Sequence, residues 1–527
     1  MNEQQQTRNG AENLLDTLVA SGIEVCFANP GTSEMQLVSA IGNRDDVRAI
    51  LCLFEGVVSG AADGYGRMAG KPALTLLHVG SGFSNSMANL HNAKRASSPI
   101  VNMVGDHATY HLKYDSPLTS DVAAHARISS SWVRASESAD DLASAGAEAV
   151  QAARTGAGRI ATFIAPANHA WEPATDPAEA LEPSARPTVD DSLVDSTSDI
   201  LRKESATALL LGGSALTEEN LEIAGRIARA TSARILCETF PARLQRGVGR
   251  IKVERLPYFA EQVAEYLKPF QNLILVGSKA PVAFFAYPGK KSWLTPEHCH
   301  VEPLASVDDD ITAALAAVAE KLDATEPADV TKPATELAAP RGVLSPLAIG
   351  QSLNLLLPEN AIVSDEAATC GMALFPTTES APKHDWLTLT GGAIGQGLPL
   401  SLGAAIACPD RKVVALQADG SAMYTVQTLS TMARETSDIT MVIMNNRSYA
   451  ILNIELARVG AGAPTPKTLS MLSLGNPNID WCAVSEGMGV PATRASTAEE
   501  FHQQFEQAIS TRGPRLIEAM VVQEMPG

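Results

Sequence analysis

Basic side chains are in short supply in this chain. Lys and Arg number 40 against 59 Asp and Glu, a formal net charge of −19 with a sequence pI near 5.0. Such a surface repels nucleic acid and anionic lipid, so neither is expected as a partner. Long apolar runs are missing too, and nothing approaches the ~20 residues of a membrane span. The opening MNEQQQTRNGAEN is polar where a secretory signal is apolar, which makes the cytoplasm the expected location. Cysteine is sparse: Cys26, Cys52, Cys237, Cys299, Cys370, Cys408 and Cys482 are scattered without CxxC spacing. That pattern excludes a disulfide framework or a zinc site and leaves reduced packing residues.

What is present is a long chain with a regular rhythm. At 527 residues, 45% of them hydrophobic, it exceeds one core, and length predicts three domains of roughly 150 to 180 residues. Strands alternate with helices throughout, the pattern of an α/β protein with parallel sheets. In residues 1–170, an amphipathic start over Asn9 to Ala20 precedes a strand at Glu24 to Ala28 and a turn, Asn29 to Glu34. A strand from Ala49 to Phe54 meets Glu55, and a helix of small residues runs from Gly56 to Met68. Further strands are expected at Pro72 to Leu77, ending at His78, and at Pro99 to Val104, with Gly82 and Asn85 shaping a loop between them. Residues 171–192 carry four prolines and read as a linker. A middle unit, 193–325, has strands at Ala208 to Leu211, Arg234 to Cys237 and Asn272 to Val276 but no GxGxxG fingerprint of a dinucleotide site. A Pro-, Ala- and Thr-rich stretch from Ala324 to Arg341 separates it from the last unit, 342–527, which closes with a strand from Arg515 to Val522. The fold class expected is three consecutive α/β domains with central parallel sheets.

The most informative stretch is Arg411 to Leu452. Val413 to Leu416 reads as a buried strand ending at Ala418-Asp419-Gly420-Ser421, a helix-spaced segment carries Val426, Leu429 and Met432, and a second strand, Ile439 to Met444, ends at Asn445-Asn446. A right-handed crossover brings both strand ends to one edge of a parallel sheet, where such sheets bind ligands. Asp419 and Asn446 there offer two hard oxygens and the Ser448 carbonyl a third, an incomplete octahedron suited to Mg²⁺ with water and phosphate completing it. The N–H groups of Gly420 and Ser421 at a helix start suit a phosphate. A plain turn and a plain loop explain the same residues equally well on this evidence alone.

This stretch resembles the cofactor motif of thiamine diphosphate (ThDP) enzymes, with Ala418 where the family usually carries glycine. The order of the segments resembles the family that includes benzoylformate decarboxylase, pyruvate decarboxylase and acetolactate synthase, whose domains bind the pyrimidine (here 1–170), form a central unit (193–325) and bind the diphosphate (342–527). The resemblance implies that Glu55 bonds the aminopyrimidine ring and activates the cofactor, although a glutamate in the first turn of a helix also suits the dipole. The run from His78 to Pro99 is similar to benzoylformate decarboxylase, where the histidine contacts substrate and shuttles protons, as its neutral-pH titration allows. Asn29 to Glu34 resembles the same enzyme's first loop and places Thr32 at the hydroxyl facing the substrate carboxylate; a helix cap by Thr32 or Ser33 accounts for these hydroxyls too. In Gly391-Gly392-Ala393-Ile394-Gly395-Gln396-Gly397-Leu398-Pro399, the resemblance makes Ile394 the prop for a bent cofactor and the Gly392 region its pyrimidine contact. Thr369 stands at a hydroxyl reaching the diphosphate, Ala368 replaces a second one, and Tyr449 joins the cofactor-binding set. His107 and His111 follow another strand and are secondary candidates.

The resemblance therefore implies a Mg²⁺- and ThDP-dependent enzyme that decarboxylates a small 2-oxo acid non-oxidatively. Two alternatives remain: an acetolactate synthase-like carboligase, and a ThDP-binding protein without catalysis. Benzoylformate decarboxylase uses a histidine from its middle domain, and Pro281 to Gly289, PVAFFAYPG, has none, which favours the carboligase side. The last strand is followed only by Gln523 to Gly527, which leaves no long lid and favours the decarboxylase side. A flavin (FAD) in the middle unit has no sign for or against it. The family's sites lie between subunits, so a homodimer or homotetramer is expected.

Overall fold

The computed structural model describes residues 8–522. The first residues of the polar opening and the segment Gln523 to Gly527 lie outside the described residues. The chain forms three sheets, all of whose strand pairs but one are parallel. The first contains Val25–Asn29 (β1), Arg48–Leu51 (β2), Ala73–His78 (β3), Ile100–Asp106 (β4), Trp132–Ala135 (β5) and Ile160–Pro166 (β6), in the order β2-β1-β3-β4-β6-β5. Thr207–Leu211 (β7) and Arg234–Cys237 (β8) open the second. The short strand Leu244–Arg246 (β9) leaves it, and Glu254–Arg255 (β10), Asn272–Val276 (β11) and His300–Ala305 (β12) complete the order β10-β8-β7-β11-β12. The third is built from Ala361–Glu366 (β13), His384–Thr388 (β14), Val413–Ala418 (β15), Ile439–Asn445 (β16), Ala492–Ala495 (β17) and Arg515–Met520 (β18), ordered β17-β18-β16-β15-β13-β14-β9. β9 is the one strand contributed by the middle segment, and it pairs antiparallel with β14.

The central strands are buried along their whole length, as parallel strands covered on both faces must be. Three expectations are corrected. The expected strand up to Phe54 stops at Leu51, so Glu55 opens the helix Glu55–Ala69 instead of ending a strand. Gly82 and Asn85 are not in a loop: a helix, Val79–Arg95, starts directly after His78. The helix expected between Asp419 and Met432 is also broken, into Asp419–Ala422, a 3-10 turn over Met423–Thr425, and Thr428–Arg434.

One apolar cluster runs from the first sheet into the third, joining Phe27, Val57 and Leu90 to Leu398, Leu402 and Ile443. The seam is where the helices Glu55–Ala69 and Gly397–Ala407 cross almost backbone to backbone. A methyl group added at Gly403 would overlap the carbonyl oxygen of Ala61, and one at Gly64 would overlap that of Leu400. Gly403→Ala is therefore expected to destabilise the protein by about 3 kcal/mol, because neither helix backbone has room to retreat. A denaturation midpoint equal to that of the unsubstituted protein would contradict the close crossing.

His384 at the start of β14 is fully buried. Its Nδ1–H donates to the Pro382 carbonyl at 2.7 Å, while Nε2 has no partner. Burial and the nearby Arg246 guanidinium pull its pKa down from 6.5 to about 3. The unfolded chain takes up this proton near 6.5 and the folded one only near 3, so stability is full above 6.5 and falls as the pH drops below it. At pH 5 the loss is about 2 kcal/mol. A His384→Gln variant should flatten the acid side of a denaturation series between pH 7 and 5; an unaltered acid limb would show that another group governs it.

Candidate active site

The site is assembled from strand carboxyl ends in two sheets. In the first sheet, the ends of β1, β3 and β4 lie side by side, His78 pairing in register with Gly105. Glu34, three residues beyond Gly31, is completely buried; it accepts the Gly31 N–H at 2.7 Å and the Nδ1–H of His78 at 2.9 Å, and Ser33 Oγ bonds the same carboxylate. An ionised carboxylate can only accept, so in the neutral imidazole the His78 proton sits on Nδ1 and Nε2 is the open nitrogen. Ser33 Oγ also lies 3.1 Å from His78 Nδ1. Thr32 is exposed, so the hydroxyl that meets the histidine is that of Ser33.

Glu55 is buried at the first position of its helix, with only 7% of its surface accessible. Its Oε2 accepts from the Asn85 amide at 3.0 Å. Gly82, on the same helix as Asn85, is the wall between Glu55 and His78: a Cβ there would lie 2.9 Å from Glu55 Oε1 and 3.3 Å from His78 Cβ. A side chain there would push the Glu55 carboxylate aside, so the glycine lets two of the expected catalytic residues approach each other within one chain. His107 and His111 pack with their rings tilted at 45° and centroids 5.6 Å apart, and His107 Nε2 meets Ser116 Oγ at 3.3 Å; the structure gives neither a contact with Glu55 or His78.

In the third sheet the ends of β13, β15 and β16 are adjacent, with Glu366 opposite Gln417 and Ala418 opposite Met444. Asp419 is 2% exposed. Its Oδ1 accepts the Gly420 N–H at 2.9 Å and its Oδ2 the Arg447 N–H at 2.7 Å. Arg447 takes a left-handed backbone, φ 58°, which turns the chain so that Asn446 Oδ1 accepts the Ser448 N–H at 2.9 Å. Asp419 is therefore bonded directly to the turn that carries Asn446 and Ser448. Burial pushes the Asp419 carboxyl up to about 6, and among the described residues no cationic side chain bonds it. A buried carboxylate left without a counter-charge, beside an amide oxygen, is a donor set that fits a hard divalent cation. Tyr449 closes over this turn: a Cβ on Gly420 would lie 2.5 Å from its ring. Thr369, half-buried in the turn after β13, lies beside Cys370, whose thiol burial and the Asp419 charge push up to about 12.

The glycine passage lies between these two clusters. Asn89 Nδ2 donates both to Gly56 O, at 2.8 Å, and to Gly395 O, at 3.2 Å, so the start of the Glu55 helix and the passage are one side chain apart. Gly392 has φ 74°, and a side chain there would also meet Phe284 of the middle segment, whose ring would lie 2.8 Å from its Cβ. The stretch Pro281 to Gly289 thus reaches the site with a phenylalanine.

Four contributors were not assigned from the sequence: Glu34, Glu366, Phe284 and, in its contact with Glu55, Asn85. Residues 8–127 match the N-terminal TPP binding domain of the thiamine pyrophosphate enzymes and residues 367–519 their C-terminal TPP binding domain. The chain is also 48% identical over 514 residues, 97% of its length and 99% of the relative's, to the putative acetolactate synthase large subunit IlvX of Mycobacterium tuberculosis (strain ATCC 25618 / H37Rv).

The chain belongs to the thiamine pyrophosphate enzymes.

Benzoylformate decarboxylase of Pseudomonas aeruginosa is a more distant member of this family, 26% identical over 524 residues with 94% of this chain and 96% of the relative covered. The solved thiamine diphosphate-dependent 4-hydroxybenzoylformate decarboxylase of Rhodococcus jostii RHA1 shares the fold with a TM-score of 0.84, at 23% identity over 98% of this chain and all of that one. These matches agree with the three α/β sheets described above. No helix among the described residues is long and apolar enough to cross a membrane.

Proposed function

We propose that this enzyme decarboxylates a small 2-oxo acid non-oxidatively, with Mg²⁺ and ThDP. The observation that carries the reading is the Gly82 wall, which sets the Glu55 carboxylate beside a histidine whose tautomer is fixed by a buried glutamate. Bound ThDP supplies the carbanion stabilisation the reaction needs. In this reading Glu55 bonds the aminopyrimidine, Gly392 and Ile394 support the ring, and Thr369, Tyr449 and the Gly420 and Ser421 amides face the diphosphate. Asp419, Asn446 and the Ser448 carbonyl hold the metal ion. His78 would be the proton carrier: Nε2, left open while Glu34 holds Nδ1–H, would pick up a proton from solvent and deliver it to the substrate carbon that has lost CO₂, and Ser33 or Thr32 would orient the substrate carboxylate. The units 1–170, 193–325 and 342–527 act as pyrimidine-binding, central and diphosphate-binding domains of a homodimer or homotetramer, located in the cytoplasm.

A carboligase is the second reading. It is supported by the 48% identical relative named as a putative acetolactate synthase large subunit, and by Phe284, which brings no titratable proton to the site. Incubation with ThDP, Mg²⁺ and pyruvate or benzoylformate, followed by NMR of the products, separates the two. Aldehyde release supports decarboxylation and a hydroxyketone or acetolactate supports ligation. Absence of CO₂ release together with no acceleration of hydrogen exchange at the cofactor C2 would overturn both in favour of a non-catalytic ThDP-binding protein. FAD is not needed in any of these readings.

A further inference from the structure

Ile394 sits between two clamps. On its N-terminal side, Asn92 closes a ring with Ala393: Asn92 Nδ2 donates to Ala393 O at 2.7 Å and Ala393 N–H donates to Asn92 Oδ1 at 3.2 Å. On its C-terminal side, Glu366 Oε1 accepts from Gly395 N at 2.6 Å and Gln396 N at 3.3 Å, and Oε2 accepts from Gly397 N at 2.7 Å. Glu366 is 4% exposed, and among the described residues no cationic side chain bonds it. Its strand partner Gln417 is completely buried with neither amide atom bonded, and lies against the Cα of Gly397. A buried carboxylate held only by backbone N–H groups and a buried amide with no partner are a heavy cost for a turn that only connects a strand to a helix. Ile394 itself is only half-buried. The clamps thus fix its backbone on both sides while its own side chain is left partly open.

We propose that Glu366 is a positioning residue of the cofactor site: its carboxylate anchors three consecutive amides and so sets the height of Gly392 and Ile394 against the bound cofactor, with Asn92 holding the opposite end. This rests on the functional reading above. It does not follow from the match to the family, which assigns no task to the residue. Glu366 touches no reacting atom in this arrangement; it acts through the backbone of the passage.

The test uses Glu366→Gln and, because a buried substitution can impair folding, Asn92→Ala on the opposing helix. Loss of a charge-assisted anchor should weaken ThDP binding by roughly 10- to 100-fold in calorimetric titrations with Mg²⁺ present. Amide hydrogen exchange of the peptide covering 391–397 should quicken in both variants without cofactor. With ThDP saturating, exchange of its C2 proton should be slowed by about 10-fold or more, a readout that a purely structural role would leave unchanged. Lower thermal stability with C2 exchange equal to the unsubstituted enzyme would overturn the proposal, as would unaltered ThDP affinity in both variants. Failure of the unsubstituted protein to take up ThDP would instead overturn the functional reading, and this proposal with it.

Discussion

Glu55→Gln is expected to leave ThDP bound and to lower turnover by about 1,000-fold, the scale on which a positioned acid or base acts. The substitution keeps the shape of the side chain and retains an oxygen for the Asn85 amide, which now reaches Glu55 at 3.0 Å. What it removes is the charge that, in the proposed role, stabilises a proton on the aminopyrimidine. Binding should survive because the proposed metal and diphosphate contacts lie on another segment, after β15 and β16. Affinity by calorimetry and turnover by CO₂ release should therefore separate. Near-normal turnover in Glu55→Gln would sink the assignment, and loss of ThDP binding would mean that the residue holds the cofactor without activating it.

Asp419→Asn should have two opposite effects. The first is loss of Mg²⁺-dependent ThDP uptake by at least about 100-fold, since a neutral amide is a much weaker ligand for a hard cation. The second is a more stable protein in the absence of cofactor. Burial raises the Asp419 carboxyl from 3.8 to about 6 in the folded state, so the unfolded chain ionises first and folding is penalised as the pH climbs from about 4 to 6 and at every pH above. The relief at pH 7.5 is about 1 to 3 kcal/mol, and it should vanish at pH 3.5, where both states are protonated. Denaturation of the cofactor-free protein at the two pH values measures it directly. A variant less stable than its parent at pH 7.5 would show that the carboxylate is held for the fold and not for a cation.

Much of this site was visible before the fold was known, for local reasons. The apolar runs before Asp419 and Asn446 are short, β-branched and bounded by turn residues, so strand ends and candidate ligands could be placed together. Glu34 and Glu366 escaped because their partners lie far along the chain, His78 at a separation of 44 residues and the Gly395–Gly397 amides at 29 to 31. No spacing rule records such pairs. Asn85 was misplaced for a different reason. Val79-Gly80-Ser81-Gly82 has the composition of a loop, and glycine is a poor helix former. Packing overrides that propensity: Val79, Gly80, Gly82 and Phe83 are all buried, and at position 82 the small residue leaves room for the Glu55 carboxylate. The break near Met423 was likewise hidden, since a regular apolar spacing does not report where one helix ends and another starts.

The antiparallel strand β9 has a consequence for anyone dividing this protein. Those three residues cap the outer edge of β14, and an uncapped edge exposes a ladder of donors and acceptors to other molecules. A fragment beginning after Arg246 would keep every proposed metal ligand yet present a sticky margin, and should form oligomers by edge-to-edge association. Restoring Leu244 to Arg246 on a short tether should suppress it. With β9 in place the sheet ends on a strand of only three residues, the short kind of edge that limits self-association, and the segment that supplies it also reaches the candidate site through Phe284.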